Sequence, residues 1–419
     1  MKIRFSVIGL LLCCHVAWAG NLPRVTPESV GMSSERLKNA DAAIEQAIKE
    51  GRTPGAVLAV VRHGKMAYLK AYGNRQVYPE KKPMTVQTVF DLASCSKPMS
   101  TATCAMILME RGQLRTLDAV NTIIPNFRSW SVEGKDSATI RVVNLFTHTS
   151  GLPSYAPVAE LKAKYGSPNP AATMDYIATC KRDFKPGTGS QYSCLNYITL
   201  QNIVEKLAGK SLRDFATEQI FKPLGMEHTD YLPCKQNKKG LWVNTDSPRW
   251  LKEGTKADGE NYPIAPTERQ DDGSVLLGQV HDPLARVMNG GVSGNAGLFS
   301  TADDIAVFCA MLQNGGEWNG QRVLSPLAVK AMRTIPHDLM KFGRTLGWVI
   351  YSPYASNAGD LLSQETYGHT GYSGTSILID PVNDISIILL TNCVHPVDKS
   401  NVIRLRALVS NAVAGSVIK

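Results

Sequence analysis

Thr88-Val89-Phe90-Asp91-Leu92-Ala93-Ser94-Cys95-Ser96-Lys97-Pro98 is the stretch on which the reading of this chain turns. Its first five residues are strand-like, and the apolar run from Ala102 to Arg111, ending near Gly112, has helical spacing. Ser94 therefore stands where a strand feeds a helix. Pro98 is tolerated there because the first turn of a helix needs no internal N–H bond. Ser94 and Lys97 are i and i+3, so on a helix the hydroxyl and the amine share a face. A serine hydroxyl is a poor nucleophile until a neighbouring base takes its proton. A lysine serves as that base only if its pKa falls from about 10.4 toward neutrality. A helix N-terminus and partial burial both push it that way. A drop of ~3 units corresponds to roughly 4 kcal/mol of differential stabilisation, which requires a built site. The spacing alone does not discriminate, since Ser416-Val417-Ile418-Lys419 repeats it at the C-terminus. Without company, Ser94 reads better as a helix cap.

Working outward, Ser33-Ser34-Glu35-Arg36 opens a helix whose apolar positions Leu37, Ala40, Ala43, Ile44 and Ile48 recur at helical spacing up to Gly51. Residues 55–61 form a strand-like run, 62–65 a turn and 66–71 the return strand. The C-terminal end mirrors this, with strands predicted over 375–380 and 385–391, a turn at 381–384 and a helix from about Asn401. Two hairpins far apart in sequence, each beside a helix, predict one antiparallel sheet built from both ends and covered by helices. The fold class is thus α+β, an antiparallel sheet flanked by helices with a mostly helical inserted region. The expected division is 20–105 with 285–419 for the sheet region and 106–284 for the helical one. Within the latter, 196–207 and 212–221 read as helices, and the polar, turn-rich 234–278 reads as a long surface excursion.

Residues 1–19 have the pattern of a secretory signal peptide: Lys2 and Arg4, an apolar run from Phe5 to Cys14, and Ala17-Trp18-Ala19 before Gly20. No later stretch has the apolar length of a membrane helix. The 419 residues are 43% hydrophobic and 19% charged with a formal net charge of +9, an ordinary globular composition. The basic residues are scattered, with no stripe of the kind nucleic-acid binding requires. Of nine cysteines, Cys13 and Cys14 leave with the signal. The seven others are irregularly spaced with no C-x-x-C pair, which argues against zinc, and no metal or cofactor is expected. Cys104 and Cys309 read as small buried apolar residues, and Cys180 and Cys194 are a possible pair.

Four further segments accompany Ser94: Leu145-Phe146-Thr147-His148-Thr149-Ser150-Gly151-Leu152; Pro186-Gly187 to Tyr192-Ser193 with Asn196-Tyr197, Glu205 and Gly209; Gly290 to Ser300; and Gly368-His369-Thr370-Gly371-Tyr372-Ser373-Gly374 followed by Asp380-Pro381. In this order, and together with Phe90 to Pro98, they resemble the penicillin-recognising serine hydrolases. That family holds class C β-lactamases, low-molecular-weight DD-peptidases and related esterases. The resemblance spans nearly the whole mature chain.

The resemblance implies Ser94 as nucleophile, Lys97 sharing its proton, and Tyr192 activating Ser94 and protonating the leaving group. It implies an oxyanion hole from the backbone N–H groups of Ser94 and Tyr372, a donor type typically worth ~3–4 kcal/mol of barrier. His369 and Thr370 would face a substrate carboxylate, and Gly371 and Gly374 would let substrate lie along that strand. A histidine, with a pKa of about 6.5, is mostly neutral at pH 7, which weakens a simple carboxylate clamp. In the family this form of the motif is commoner among peptidases and esterases than among efficient β-lactamases. Cys194 stands where the family usually has Asn or Asp, and a thiol donates and accepts only weakly. Asn295 occupies a place often held by His, and His148 is expected to hold a loop near the site. The implied partner is a small-molecule or peptidoglycan-derived substrate. The implied activity is an exported acyl hydrolase acting on D-alanyl-type peptides or β-lactams, with a carboxylesterase and a weakly catalytic penicillin-binding protein as alternatives.

Overall fold

The computed structural model describes residues 20–132, 136–251, 263–350 and 357–419. The expected signal segment, 1–19, lies outside them. Among the described residues no helix is long and apolar enough to cross a membrane.

A seven-stranded sheet is built from both ends of the chain. Gly55–Arg62 lies near its middle, paired antiparallel with Lys65–Gln76 on one side and Ile385–Thr391 on the other. Ser376–Asp380, Tyr367–Thr370 and Val349–Ile350 continue the sheet outward from Ile385–Thr391. Alternate residues of a strand face opposite sides. Both sides are covered here, so Gly55–Arg62 is buried at every position. Ala56, Leu58 and Val60 pack with Leu37, Ile44, Leu405 and Val409 of the terminal helices Ser34–Lys49 and Ile403–Ala414. Val57, Ala59 and Val61 pack with Leu108, Ile305 and Phe308 of Thr103–Glu110 and Ala302–Gln313. The first helix starts where expected, capped by the Ser33 side chain accepting from Arg36 N–H at 3.2 Å.

The helices Cys194–Ala208 and Leu212–Ala216 lie in the inserted region, and the turns continue through Thr217–Phe221. The segment 234–278 is not wholly a surface excursion. Pro263 to Ala265 are buried, and the Ile264 stretch runs parallel to Val89, with Val89 N–H donating to Pro263 O at 2.9 Å and Ala265 N–H to Val89 O at 2.9 Å. The turn-rich composition hides an apolar stretch that buttresses the approach to Ser94. All seven described cysteines are free thiols, so Cys180 and Cys194 do not pair.

Candidate active site

The strand at Ser94 is short. Phe90–Asp91 pairs with Leu298–Ser300 in a three-stranded sheet, and the chain then turns through Ala93 at a φ of +45°. A left-handed alanine costs roughly 1–2 kcal/mol. Asp91 holds it there: Oδ1 accepts from Ala93 N–H at 2.9 Å and Oδ2 from His281 N–H at 2.7 Å. Burial nevertheless outweighs these donors and pushes the Asp91 carboxyl upward. Ser94 follows on a single tight turn, and the helix begins at Lys97.

Lys97 is fully buried. Its Nζ donates to Ser94 Oγ at 2.9 Å and to Asn295 O at 2.7 Å, and lies 5.0 Å from the ring centre of Tyr192. Ser94, Lys97 and Tyr192 thus meet, although Tyr192 comes from a segment nearly a hundred residues further on. Burial pushes Lys97 toward its neutral form, but Tyr192, Cys194 and Asp282 outweigh it and hold the ammonium above its ordinary value. The expectation of a lysine lowered toward neutrality is therefore reversed, because the groups packed around Nζ favour its charged form.

His148 takes the structural place expected of it. Its backbone has a φ of +56°, and Nδ1 accepts from Ser193 N–H at 3.1 Å and lies 3.1 Å from Asn196 Nδ2. Its ring lies 4.5 Å from that of Tyr192, so it shelves the tyrosine. Tyr192 itself precedes the N-terminus of the Cys194–Ala208 helix, which orients its entry to the site.

His369 is buried at 4% exposure on the strand Tyr367–Thr370, its Nδ1 2.8 Å from Thr370 O. Burial, with Lys97 and Arg344 nearby, pushes it well below its ordinary range, so it brings no fixed charge. Arg344, which the sequence reading missed and which no motif marks, is a positive group in this part of the cleft, as is Arg406, which donates to Gly371 O at 2.7 Å. The Arg344 guanidinium lies over the Tyr192 ring at 5.3 Å from the centroid. Packing also requires glycine at 371 and 374. A Cβ on Gly371 would sit 2.1 Å from Thr375 Oγ1 and 2.4 Å from Leu92 O, and one on Gly374 2.0 Å from Thr391 Oγ1. Gly371 is a glycine because the turn is pressed onto the Ser94 segment, and Gly374 because it is pressed onto Thr391 and Cys393. Tyr372 is exposed on that turn, and its N–H has no acceptor among the described residues.

Two cavities open beside Ser94. One, of about 410 Å³, is lined by Ser94, Tyr192, Arg344, His369, Thr370 and Tyr372 among others. The other, of about 470 Å³, is lined by Ser94, Tyr155, Tyr192, Cys194 and Asp282, with Glu268 and Asp398 also on its wall. Cys194 thus faces the second cavity, and burial pushes its thiol upward, keeping it protonated.

Stability should report the buried histidines. Burial, with Arg344 and Lys97 nearby, holds His148 well below its ordinary range, as it does His369. Below about pH 6.5 the unfolded chain takes up protons that the folded one refuses, so stability is complete above that pH and is lost as pH falls, by up to about 1.4 kcal/mol per pH unit per histidine. Urea unfolding of His148→Asn, which tolerates a positive φ, is expected to give a shallower decline between neutral and acid pH. An unchanged slope would exclude His148 as a source.

The β-lactamase family profile matches residues 40–411 of this chain. An Escherichia coli (strain K12) protein named "Putative D-alanyl-D-alanine carboxypeptidase" is 33% identical over 413 residues, covering 94% of this chain and 92% of that protein. The N-acetylmuramyl-L-alanine amidase of Bacillus subtilis (strain 168) is 33% identical over 401 residues, covering 90% of this chain and 86% of its own. Among solved structures, EstCE1, a hydrolase with promiscuous acyltransferase activity, shares the fold with a TM-score of 0.67 at 24% identity, covering 91% of this chain and 99% of that one. The octameric penicillin-binding protein homologue from Pyrococcus abyssi does so with 0.65 at 22%, covering 90% and 76%. The chain belongs to the β-lactamase family and is a serine hydrolase.

Proposed function

We propose that this protein is an exported acyl hydrolase that forms an acyl-enzyme on Ser94 and cleaves D-alanyl-type peptides. The observation that carries the reading is the contact of Lys97 Nζ with Ser94 Oγ at 2.9 Å, at the junction of two cavities of opposite character. As Ser94 Oγ attacks a carbonyl carbon, its proton passes to the Lys97–Tyr192 couple, which returns it to the leaving amine as the C–N bond breaks. Water then attacks the ester, the same couple taking its proton and restoring Ser94. The N–H groups of Ser94 and Tyr372 stabilise the oxyanion.

The cavity with Arg344 and Thr370 suits the carboxylate of a C-terminal residue, since a guanidinium binds carboxylates in a two-pronged fork. The Cys194 cavity would receive the acyl portion. The names of the relatives, a D-alanyl-D-alanine carboxypeptidase and a muramyl-alanine amidase, point to the same class of amide. Export is supported by residues 1–19, which carry the signal pattern. A carboxylesterase is favoured by one feature, the thiol at residue 194, which offers an acyl-side amide only a weak partner.

The test is a panel of D-Ala-D-Ala peptides, a muramyl-L-alanine peptide, a penicillin and short-chain esters, with Ser94→Ala as blank. Peptide turnover is expected, and Arg344→Ala is expected to lower kcat/KM for peptides about 10–100-fold, as loss of a charge-assisted hydrogen bond implies, while sparing uncharged esters. Turnover of esters alone would support the esterase. Activity retained by Ser94→Ala would overturn the assignment of the nucleophile.

A further inference from the structure

Asn295 is unexplained by the resemblance, yet it sits beneath the reacting pair. It is fully buried, and its backbone carbonyl accepts from Lys97 Nζ at 2.7 Å. Its side chain is held at both ends: Oδ1 accepts from Ser293 Oγ at 2.6 Å, and Nδ2 donates to Asp282 Oδ1 at 3.2 Å. The loop around it is fixed to the helix that carries Lys97. Thr101 Oγ1 donates to Gly294 O at 2.8 Å and Leu298 N–H to Ser96 Oγ at 3.0 Å. Gly294 N–H reaches Gln201 Oε1 at 2.7 Å on the other side.

Asp282 is itself anchored. Oδ1 also accepts from Ala285 N–H at 2.8 Å, and Oδ2 accepts from Tyr155 Oη at 3.0 Å. Around Lys97 stand Tyr192, Tyr197, Cys194, Cys95, His148 and His369. The two histidines are held neutral by burial, and burial keeps both thiols protonated, Cys95 at about 12. Asp282 is the carboxyl group among those that hold Lys97 upward. Asp91, Arg286, Tyr155 and Cys194 in turn feel its field.

We propose that Asp282 is a positioning residue that acts through Asn295, fixing the carbonyl that anchors Lys97 and supplying a carboxylate countercharge to it. The proposal rests on the reading of Ser94 and Lys97 as the reacting pair. The alternative is that Asp282 only caps the turn Leu284–Met288 through its bond from Ala285 N–H.

Asp282→Asn separates the two, because it keeps Oδ1 as acceptor for Ala285 and Asn295 and removes the charge, while at the other atom the Tyr155 hydroxyl exchanges donating for accepting. The readout is the rate at which a fluorophosphonate probe labels Ser94, followed from about pH 6 to 12, which brackets the ordinary lysine value and the range above it where Lys97 is held, and needs no knowledge of the substrate. The limb that reports Lys97 is expected to move to lower pH by about one unit, since removing a negative neighbour disfavours the ammonium. Asn295→Ser, which leaves the charge but cuts the tie, is expected to slow labelling about tenfold or more with a smaller shift, within the range seen for lost proton-handling geometry. An unmoved limb in folded Asp282→Asn, or labelling by Asn295→Ser at the normal rate, would overturn the proposal. Should Asp282→Asn not fold, the Asn295→Ser result decides alone. Labelling that persists in Ser94→Ala would instead refute the nucleophile itself.

Discussion

Lys97→Met should lower the rate of Ser94 acylation by about 10³–10⁴, the scale of a positioned proton-transfer group. Methionine is of similar length and apolar, so it fills the buried slot without leaving a large cavity. What it removes are the two bonds of Nζ, to Ser94 Oγ and to Asn295 O. Without the ammonium, Ser94 Oγ loses its donor on the helix, and the Asn295 carbonyl is left buried and unpaired at about 1–3 kcal/mol. The folded protein should therefore persist with a lowered urea midpoint and almost no labelling by the fluorophosphonate probe. Lys97→Arg is not expected to rescue it, because a planar guanidinium does not fit a fully buried slot shaped for an ammonium. Labelling within tenfold of the unaltered protein would show that Lys97 does not handle the proton.

Gly371→Ala carries the second large effect, and it acts through packing. The added Cβ would lie 2.1 Å from Thr375 Oγ1 and 2.4 Å from Leu92 O, and the second of these is backbone. The Thr375 hydroxyl donates to Leu92 O at 2.9 Å and Ser373 Oγ to Asp91 O at 2.7 Å, so the turn and the Ser94 segment are one packed unit. Overpacking of this kind costs about 3 kcal/mol or more. Because the displaced turn bears Tyr372 and the displaced segment bears Ser94, acylation should fall at least tenfold even at temperatures where the protein stays folded, the expected size for one disturbed oxyanion donor. Gly209→Ala is the comparison, since that glycine has a positive φ, +65°, which Gly371 does not, but nothing within 4 Å of its Cβ position. Its cost should be limited to backbone strain of roughly 1–2 kcal/mol, with activity intact. Labelling by Gly371→Ala at the rate of the unaltered protein would show that the turn absorbs the added Cβ without moving Ser94.

The α+β architecture was legible because the patterns that encode it are local. Caps and helical spacing around Leu37, Ala40 and Ile44, and two apolar hairpins, are properties of neighbours in sequence. The 234–278 region misled because turn formers dominate it, while the few residues that bury Ile264 against Val89 carry no periodicity. Site legibility was uneven for the same reason. Ser94, Tyr192 and His369-Thr370-Gly371 stand in recognisable segments. Arg344 and Asp282 stand in none, and reach the site only because the chain folds them there. Asp91, in the opening segment itself, was visible as a residue, but its task of holding Ala93 at a positive φ was not.

What the sequence by itself determined is the placement of a serine and a lysine on one helical face, at a strand-to-helix junction, within a sheet closed from both ends. The tertiary structure decided the electrical state of that pair. The lysine reads as lowered when only its helix is considered, and it is held upward when Tyr192, Cys194 and Asp282 are packed around it. A helix face is set by residues three apart. A charge state is set by whatever is nearest in space, and the carbonyl that anchors Lys97 comes from 198 residues away.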